Sequence, residues 1–304
     1  MIAAPPLVRE RTVAKARVLV EALPFMREHR GKTIVVKVGG AAIEAAPLAR
    51  SFADDLSLLR SAGVHVVVVH GGGPQLTEVS TRLGLETRFV DGLRVTDAET
   101  LDVAMMVLAG RLNTQVVTTL AADGVPAVGL SGVDGGLLIA RRRSDPELGF
   151  VGEVTRVNPG VVLALLDGGF VPVVASLAVD EGGQPYNVNA DLAAAQLAIG
   201  LDAEKLVILS DVPGVIGPDG DLLSELSVSA AEELLAMDRT VEGGMVPKLG
   251  SLVIAIREGV GRAHLIDGRL RHSLVLELFT QEGIGTMVTA DPPPDGPDAG
   301  EEAS

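Results

Sequence analysis

The sequence predicts an α/β protein, a three-layer αβα sandwich with helices on both faces of a mainly parallel sheet and one extra helix in front. Three observations predict it. Two apolar, β-branched runs, Thr33–Val38 and Val64–Val69, are each followed by a stretch of helical periodicity, which is βαβα order. Both runs break at once into glycine turns, Gly39-Gly40 and Gly71-Gly72-Gly73, and parallel sheets bind ligands beyond the C-terminal ends of their strands. Aromatic residues make up only 2% of the 304 residues, with no Trp and one Tyr, so Val, Leu, Ile and Ala must build the core.

Composition excludes several functions. A net charge of −15 disfavours nucleic acid and anionic membranes, and the few aromatics leave little to stack bases on. With no cysteine there is no disulfide, thiolate nucleophile or Cys-ligated metal. No secretory h-region opens the chain and no apolar run reads as a membrane span, so a cytoplasmic protein is expected.

In chain order, residues 7–30 read as an amphipathic helix that Pro24 should interrupt. It must dock on its own domain or on another subunit, and its pattern leaves both open. Gly31-Lys32-Thr33 is not the end of a P-loop, because Met26 stands where that pattern needs glycine and Lys32 precedes its strand. The strand 33–38 carries Lys37 at its end, costly to bury without an anion, and the turn after it offers free amides. A helix over 47–62, the strand 64–69 and a helix over 75–84 follow. His70-Gly71-Gly72-Gly73 reads as a second anion nest. The esterase alternative fails, since Gly129-Leu130-Ser131-Gly132-Val133 lacks the final glycine of a nucleophile elbow. Arg94 sits in a short segment before a helix over 97–122, and a guanidinium fork suits a carboxylate.

Strands are expected at 127–130 and, through a hairpin at Gly135-Gly136, at 137–143. A helix over 160–166 and a strand over 170–175 come next. Asn187-Val188-Asn189-Ala190-Asp191 opens an Ala-rich helix. Asn189 or Asp191 would cap it, Asn187 could hold an amino-acid substrate, and Asp191 could orient a lysine. A second lobe begins near Leu201 with a strand over 205–209 and the turn Ser210-Asp211-Val212-Pro213-Gly214-Val215. Helices over 227–236 and from about Met245, a strand over 263–267, a helix over 274–279 and a last strand after Gly283-Ile284-Gly285-Thr286 complete it. Lys248 lies near a helix N-terminus, whose dipole already favours phosphate. Residues 291–304, rich in Pro, Asp, Glu and Gly, read as a disordered acidic tail.

In this order the motifs resemble the amino-acid kinase family over about residues 32–290, and within it the acetylglutamate kinases: Lys37-Val38-Gly39-Gly40, His70-Gly71-Gly72-Gly73, Gly92-Leu93-Arg94-Val95-Thr96, Asn187-Val188-Asn189-Ala190-Asp191, Ser210-Asp211-Val212-Pro213-Gly214 and Gly243-Gly244-Met245-Val246-Pro247-Lys248. The resemblance implies ATP, with Mg2+, and N-acetyl-L-glutamate as substrates. Lys37 and Lys248 would act on the transferring phosphoryl group, with Asp191 organising both. Gly72, Gly73, Arg94 and Asn187 would bind the acyl amino acid. Gly39, Gly40, Ser210, Asp211, Val212, Gly214, Val215, Met245 and Lys248 would bind ATP. It also implies an N-lobe over 32–200 for the amino acid and a C-lobe over 201–290 for ATP. Many relatives carry Tyr and Asn where this chain has Val38 and Ala41. The helix over 1–31 and the segment from His264 through Glu277 to Gly283 resemble members inhibited by L-arginine, in which that helix joins three dimers into a hexamer. Lys205, His264, Glu277 and Gly283 would then face the effector. Competing readings are a kinase of carrier-bound aminoadipate or aspartate, and a non-catalytic arginine sensor.

Overall fold

The computed structural model describes residues 6–40, 45–237, 244–281 and 283–292, with side chains from residue 17 onward. Ala41, Gly243 and most of the expected tail, 293–304, lie outside the described residues, as do the side chains of the first helical turns.

The core is an eight-stranded sheet. Its strands are β1 (Thr33–Val38), β2 (His65–His70), β5 (Ala127–Ser131), β8 (Val171–Ala175), β11 (Lys205–Ser210), β12 (Glu225–Ser227), β13 (Arg262–Asp267) and β14 (Thr286–Thr289), in the order β12-β14-β13-β11-β1-β2-β8-β5. Neighbours pair in parallel from β13 to β5, whereas β14 runs antiparallel to β13. Both segments expected as lobes thus feed one sheet, because β11 pairs directly with β1.

The side chains of β1 alternate between two buried faces. Ile34, Val36 and Val38 join Phe52, Leu56 and Leu59 of helix α2 (Ala46–Ser61) and Leu274, Leu278 and Phe279 of a helix over Ser273–Phe279. Val35 points the other way, to Ala194 and Leu197 of a helix over Ala190–Gly200. Lys37, two residues on, shares that second face. Continuous apolar runs are what a strand covered on both sides requires.

Helix α1 (Pro6–His29) runs unbroken through Pro24, contrary to the expected interruption. Pro24 and Val20 lie on the exposed side, so the carbonyl that Pro24 leaves unpaired faces solvent. The last turns dock on the chain itself. Ala22, Phe25 and Met26 pack beside the second helix of this face, and His29 stacks on Phe279 with ring centroids 6.2 Å apart. Val18, Leu19, Val20 and Leu23 remain exposed.

Helix α3 (Gly73–Arg82) opens at the triple-glycine turn. Helix α4 spans Ala98–Ala122 and takes a π-helical form over Met105–Leu112. By length and mean hydropathy alone this helix could cross a bilayer. In the fold its apolar side, Val107, Leu112 and Val116 among others, is buried. The hairpin expected at Gly135-Gly136 is absent. Gly135, with φ +63°, turns the chain out of the large sheet into a separate one, where β6 (Leu138–Arg142) pairs with β7 (Gly152–Val157) and β9 (Leu177–Val179), and β9 with β10 (Pro185–Asn187). A two-stranded ribbon, β3 (Phe89–Val90) and β4 (Leu93–Arg94), carries Arg94. The remaining helices are α5 (Gly160–Asp167), α6 (Ala190–Gly200), α7 (Val228–Ala236), α8 (Met245–Arg257) and α9 (Ser273–Phe279).

One partly buried contact ties α2 to the start of α9. The Asp55 carboxylate lies 2.7 Å from His272 Nδ1, and the His272 amide donates to Ser51 Oγ at 2.8 Å. Burial pushes the Asp55 carboxyl from its ordinary 3.8 up to about 6, against the opposing pull of His272. A carboxyl raised in the folded state stabilises the fold fully below its unfolded pKa, and that contribution is lost as pH rises through about 6. Asp55→Asn is therefore expected to flatten the dependence of unfolding free energy on pH between about 4 and 6, an effect on the order of 2 kcal/mol. Urea titrations across that range check it; an unaltered slope would place the titration elsewhere.

Candidate active site

At the C-terminal ends of β1, β2 and β11 the sheet opens into a cleft of about 380 Å³. The alternation of β1 brings Lys37 onto the face covered by α6, and Asp191 stands in the first turn of that helix. Lys37 Nζ and Asp191 Oδ1 are 2.7 Å apart, with both side chains about nine-tenths buried. The Asn189 side chain caps α6, accepting from the amides of Asp191 at 2.9 Å and Leu192 at 3.1 Å. Asn189 is thus the cap, which frees Asp191 for the lysine. Asn187, at the end of β10, reaches the same cleft and donates to Thr96 Oγ1 at 3.1 Å.

The glycine turns form the floor. Gly39, Gly40, Gly71, Gly72 and Gly73 all line the cleft. Gly72 has a steric reason to be glycine: a Cβ there would come within 2.8 Å of Leu108 Cδ2 and closer still to Leu112. Opposite, Lys248 stands in the first turn of α8, half-buried, and its Nζ donates to the Gly244 carbonyl at 3.0 Å. Ser210 and Asp211 complete that side, joined by a hydrogen bond of 3.2 Å from Ser210 Oγ to Asp211 Oδ1.

Arg94 is the most informative group. It is 8% exposed, and its partners are neutral. Nη2 donates to the Gly73 carbonyl at 2.9 Å and to Thr77 Oγ1 at 2.7 Å, Nη1 to Thr87 Oγ1 at 3.3 Å, and the guanidinium lies 4.9 Å from the Phe89 ring centroid. Burial pulls its pKa below the ordinary arginine value. No carboxylate pairs with it among the described residues. A buried cation held in place without a counter-ion is a site for an anion from solution.

Four expected nucleotide contacts lie away from the cleft lining. Val215 is buried in the core, with its amide bonded to Thr286 Oγ1 at 2.8 Å. Gly214 packs against the same threonine, Met245 packs on the core, and Val212 does not line the cleft. Conversely, sequence reasoning passed over Leu76, Phe89, Leu108, Val151 and Ser176, which form much of the wall. Periodicity marked the leucines only as helix interior, and nothing local distinguished the others.

The acids lining the cleft are Asp191, paired with Lys37, and Asp211. Mg2+ needs only one or two protein carboxylates when it arrives on a nucleotide's phosphates, so this lining fits a metal carried in with substrate.

A second cavity of about 510 Å³ brings together Lys205, His264, Glu277 and Gly283, with Phe25 and Glu28 of α1 at its edge. Glu277 Oε1 accepts from His264 Nδ1 at 2.7 Å, and its Oε2 from the Ile284 amide at 2.7 Å. Burial alone would raise the Glu277 carboxyl; His264, the Ile284 amide and Lys205 outweigh it and leave the pKa below the ordinary value. Burial lowers both His264 and Lys205.

Comparison with known proteins follows the same outline. The profile of the amino acid kinase family matches residues 32–267. An acetylglutamate kinase of Symbiobacterium thermophilum is 49% identical over 290 residues, covering 92% of this chain and 99% of that protein. One from Halorhodospira halophila is 50% identical over 289 residues, covering 91% and 96%. Among solved structures, an N-acetylglutamate synthase from Neisseria gonorrhoeae, complexed with coenzyme A and N-acetyl-glutamate, aligns with a TM-score of 0.81 at 30% identity; it covers 91% of this chain, which spans 64% of that one. A carbamate kinase from Giardia lamblia bound to AMP-PNP shares the fold, with a TM-score of 0.62 at 16% identity over 86% of this chain and 99% of that one. On the strength of a family profile and relatives that each span most of its length, the chain belongs to the amino acid kinase family and, within it, to the acetylglutamate kinases.

Proposed function

We propose that the protein transfers the γ-phosphoryl group of ATP to the side-chain carboxylate of N-acetyl-L-glutamate, yielding N-acetylglutamyl 5-phosphate and ADP in arginine biosynthesis. The observation that carries this reading is the buried, unpaired Arg94 in the same cleft as Lys37, Lys248 and two glycine turns. A carboxylate oxygen attacks the γ-phosphorus, and the bond from phosphorus to the bridging oxygen of ADP breaks. The nucleophile is already ionised near neutral pH, with an ordinary pKa of about 4.3, so no general base is needed. What the reaction needs is alignment of two anions and neutralisation of charge at the phosphoryl oxygens. Lys37, held by Asp191, and Lys248 supply the charge. The Gly39-Gly40 and Gly72-Gly73 amides supply hydrogen bonds, and Arg94 with Asn187 holds the acyl amino acid. Mg2+, bound to ATP, would neutralise phosphate charge with Asp211 beside it. A coupled assay of ADP release tests the reading. Turnover with N-acetylglutamate and almost none with glutamate, aspartate or an aminoadipate derivative is expected; the reverse preference would reassign the substrate.

The second cavity favours a further reading, feedback inhibition by L-arginine in a hexamer built as a trimer of dimers. Glu277 and the buried Lys205, which makes no ion pair among the described residues, offer opposite charges to one zwitterion, and α1 both borders the cavity and exposes Val18, Leu19, Val20 and Leu23. Removing residues 1–20 leaves the docked turn in place. The truncated protein is expected to scatter light as a dimer and to lose most of its response to arginine while keeping its kcat. A truncated hexamer with full inhibition would overturn this.

A further inference from the structure

Behind the triple-glycine turn lies a buried polar relay that the chemistry above does not use. His70 is the last residue of β2 and is wholly buried. Its Nδ1 lies 2.9 Å from the Gly71 carbonyl oxygen, and its Nε2 lies 3.1 Å from Asn113 Nδ2. The same Asn113 nitrogen lies 2.9 Å from the Val173 carbonyl and 3.2 Å from that of Leu130. Carbonyls only accept, so this atom is the amide NH2; it shares its two hydrogens among three acceptors and cannot accept one from His70. Nε2 therefore carries no hydrogen, and Nδ1, facing a carbonyl, carries it and donates to Gly71. Burial lowers the imidazole pKa, in keeping with a neutral ring in this tautomer.

The bond has a consequence for the cleft. A trans peptide points its C=O and the next N–H in opposite directions. Anchoring the Gly71 carbonyl on the buried ring turns the Gly72 amide away from it. The surroundings hold the arrangement from two more sides. The Ser176 amide donates to the His70 carbonyl at 3.2 Å. The π-helical stretch of α4 presses Leu108 and Leu112 onto Gly72 and ends just before Asn113. Wide turns of this type are frequent at functional sites. Gly129 makes room for the relay, since a Cβ there would overlap Asn113 Oδ1.

We propose that His70, locked by Asn113, is a positioning residue for phosphoryl transfer: it holds the Gly71–Gly72 peptide so that the Gly72 amide is aimed in advance at the transferring group. The inference rests on the kinase reading above. A donor fixed before charge develops stabilises the transition state more than the bound substrate, so its loss falls on kcat.

His70→Leu keeps bulk and removes the donor, whereas His70→Asn restores a donor near the Nδ1 position. His70→Leu is expected to lower kcat about tenfold and to weaken the complex with ADP, aluminium fluoride and N-acetylglutamate by a like factor, with both KM values within about twofold. His70→Asn should recover most of the loss. Asn113→Asp replaces the donor to Nε2 by an acceptor, drives the ring hydrogen away from Nδ1, and should lower kcat even if His70→Leu fails to fold. Equal losses in His70→Leu and His70→Asn, or a loss confined to KM or melting temperature, would reduce His70 to a structural residue. A wild-type protein inactive on N-acetylglutamate overturns the kinase reading and this inference with it; normal kcat in both His70→Leu and Asn113→Asp overturns the inference alone.

Discussion

Lys248→Ala is expected to lower kcat by about a hundredfold or more, with the KM for N-acetylglutamate changed less than about threefold. The lysine stands in the first turn of α8, facing the cleft, and its one hydrogen bond goes to the Gly244 carbonyl. No acid pairs with it among the described residues, so removing it strands no buried charge, and the melting temperature should move by no more than about 2 °C. That separation makes Lys248 the cleaner test of charge stabilisation. Lys37→Ala would leave the Asp191 carboxylate buried and unpaired, a cost of about 3–5 kcal/mol to the fold that would be confused with lost chemistry. Rapid-quench measurement of the chemical step with Lys248→Ala decides the matter, and an unchanged rate would remove Lys248 from the reaction.

Arg94→Lys is expected to raise the KM for N-acetylglutamate roughly thirtyfold while ATP affinity stays within about twofold, because a point charge replaces a planar fork. The guanidinium is already oriented by Gly73, Thr77 and Thr87 and backed by the Phe89 ring. An ammonium at this depth keeps the charge but satisfies fewer of those acceptors, and it cannot bond both oxygens of a carboxylate in one plane. Steady-state kinetics with each substrate varied in turn check the split. A fall in ATP affinity instead would move Arg94 to the nucleotide side of the cleft.

Legibility in the sequence tracked how locally each feature is encoded. Strands β1 and β2 were readable because burial on both faces forces unbroken apolar runs, and Lys37 stood out by interrupting one. Strand β7 was not readable, since Glu153, Thr155 and Arg156 keep much of it polar. The hairpin at Gly135-Gly136 was misread because a positive-φ glycine turn looks the same whether the chain returns to its own sheet or leaves for another. In the cleft, motif residues beside glycine turns were visible. Phe89, Val151 and Ser176 arrive from separate elements and carry no local sign of convergence. Val215, placed with the nucleotide by its position in a motif, has its side chain in the core and its amide bonded to Thr286.

The pairing of β1 with β11 also bears on how the protein is made. Ile34 finds its partner in Lys205, roughly 170 residues later, with the whole of β2 to α6 strung between them. Closing a loop of that length costs about 4–5 kcal/mol in chain entropy before any ladder bond forms, and such non-local parallel pairing is slow. Until the ribosome has delivered Lys205–Ser210, one edge of β1 has no partner, and an unpaired apolar edge is a template for another nascent chain. Lys37 stands on the earlier of these strands, and Ser210 and Asp211 stand at the end of the later one. The active site therefore comes into existence through the slowest kind of contact the chain makes, and regained activity on refolding marks completion of the whole sheet rather than the return of its helices.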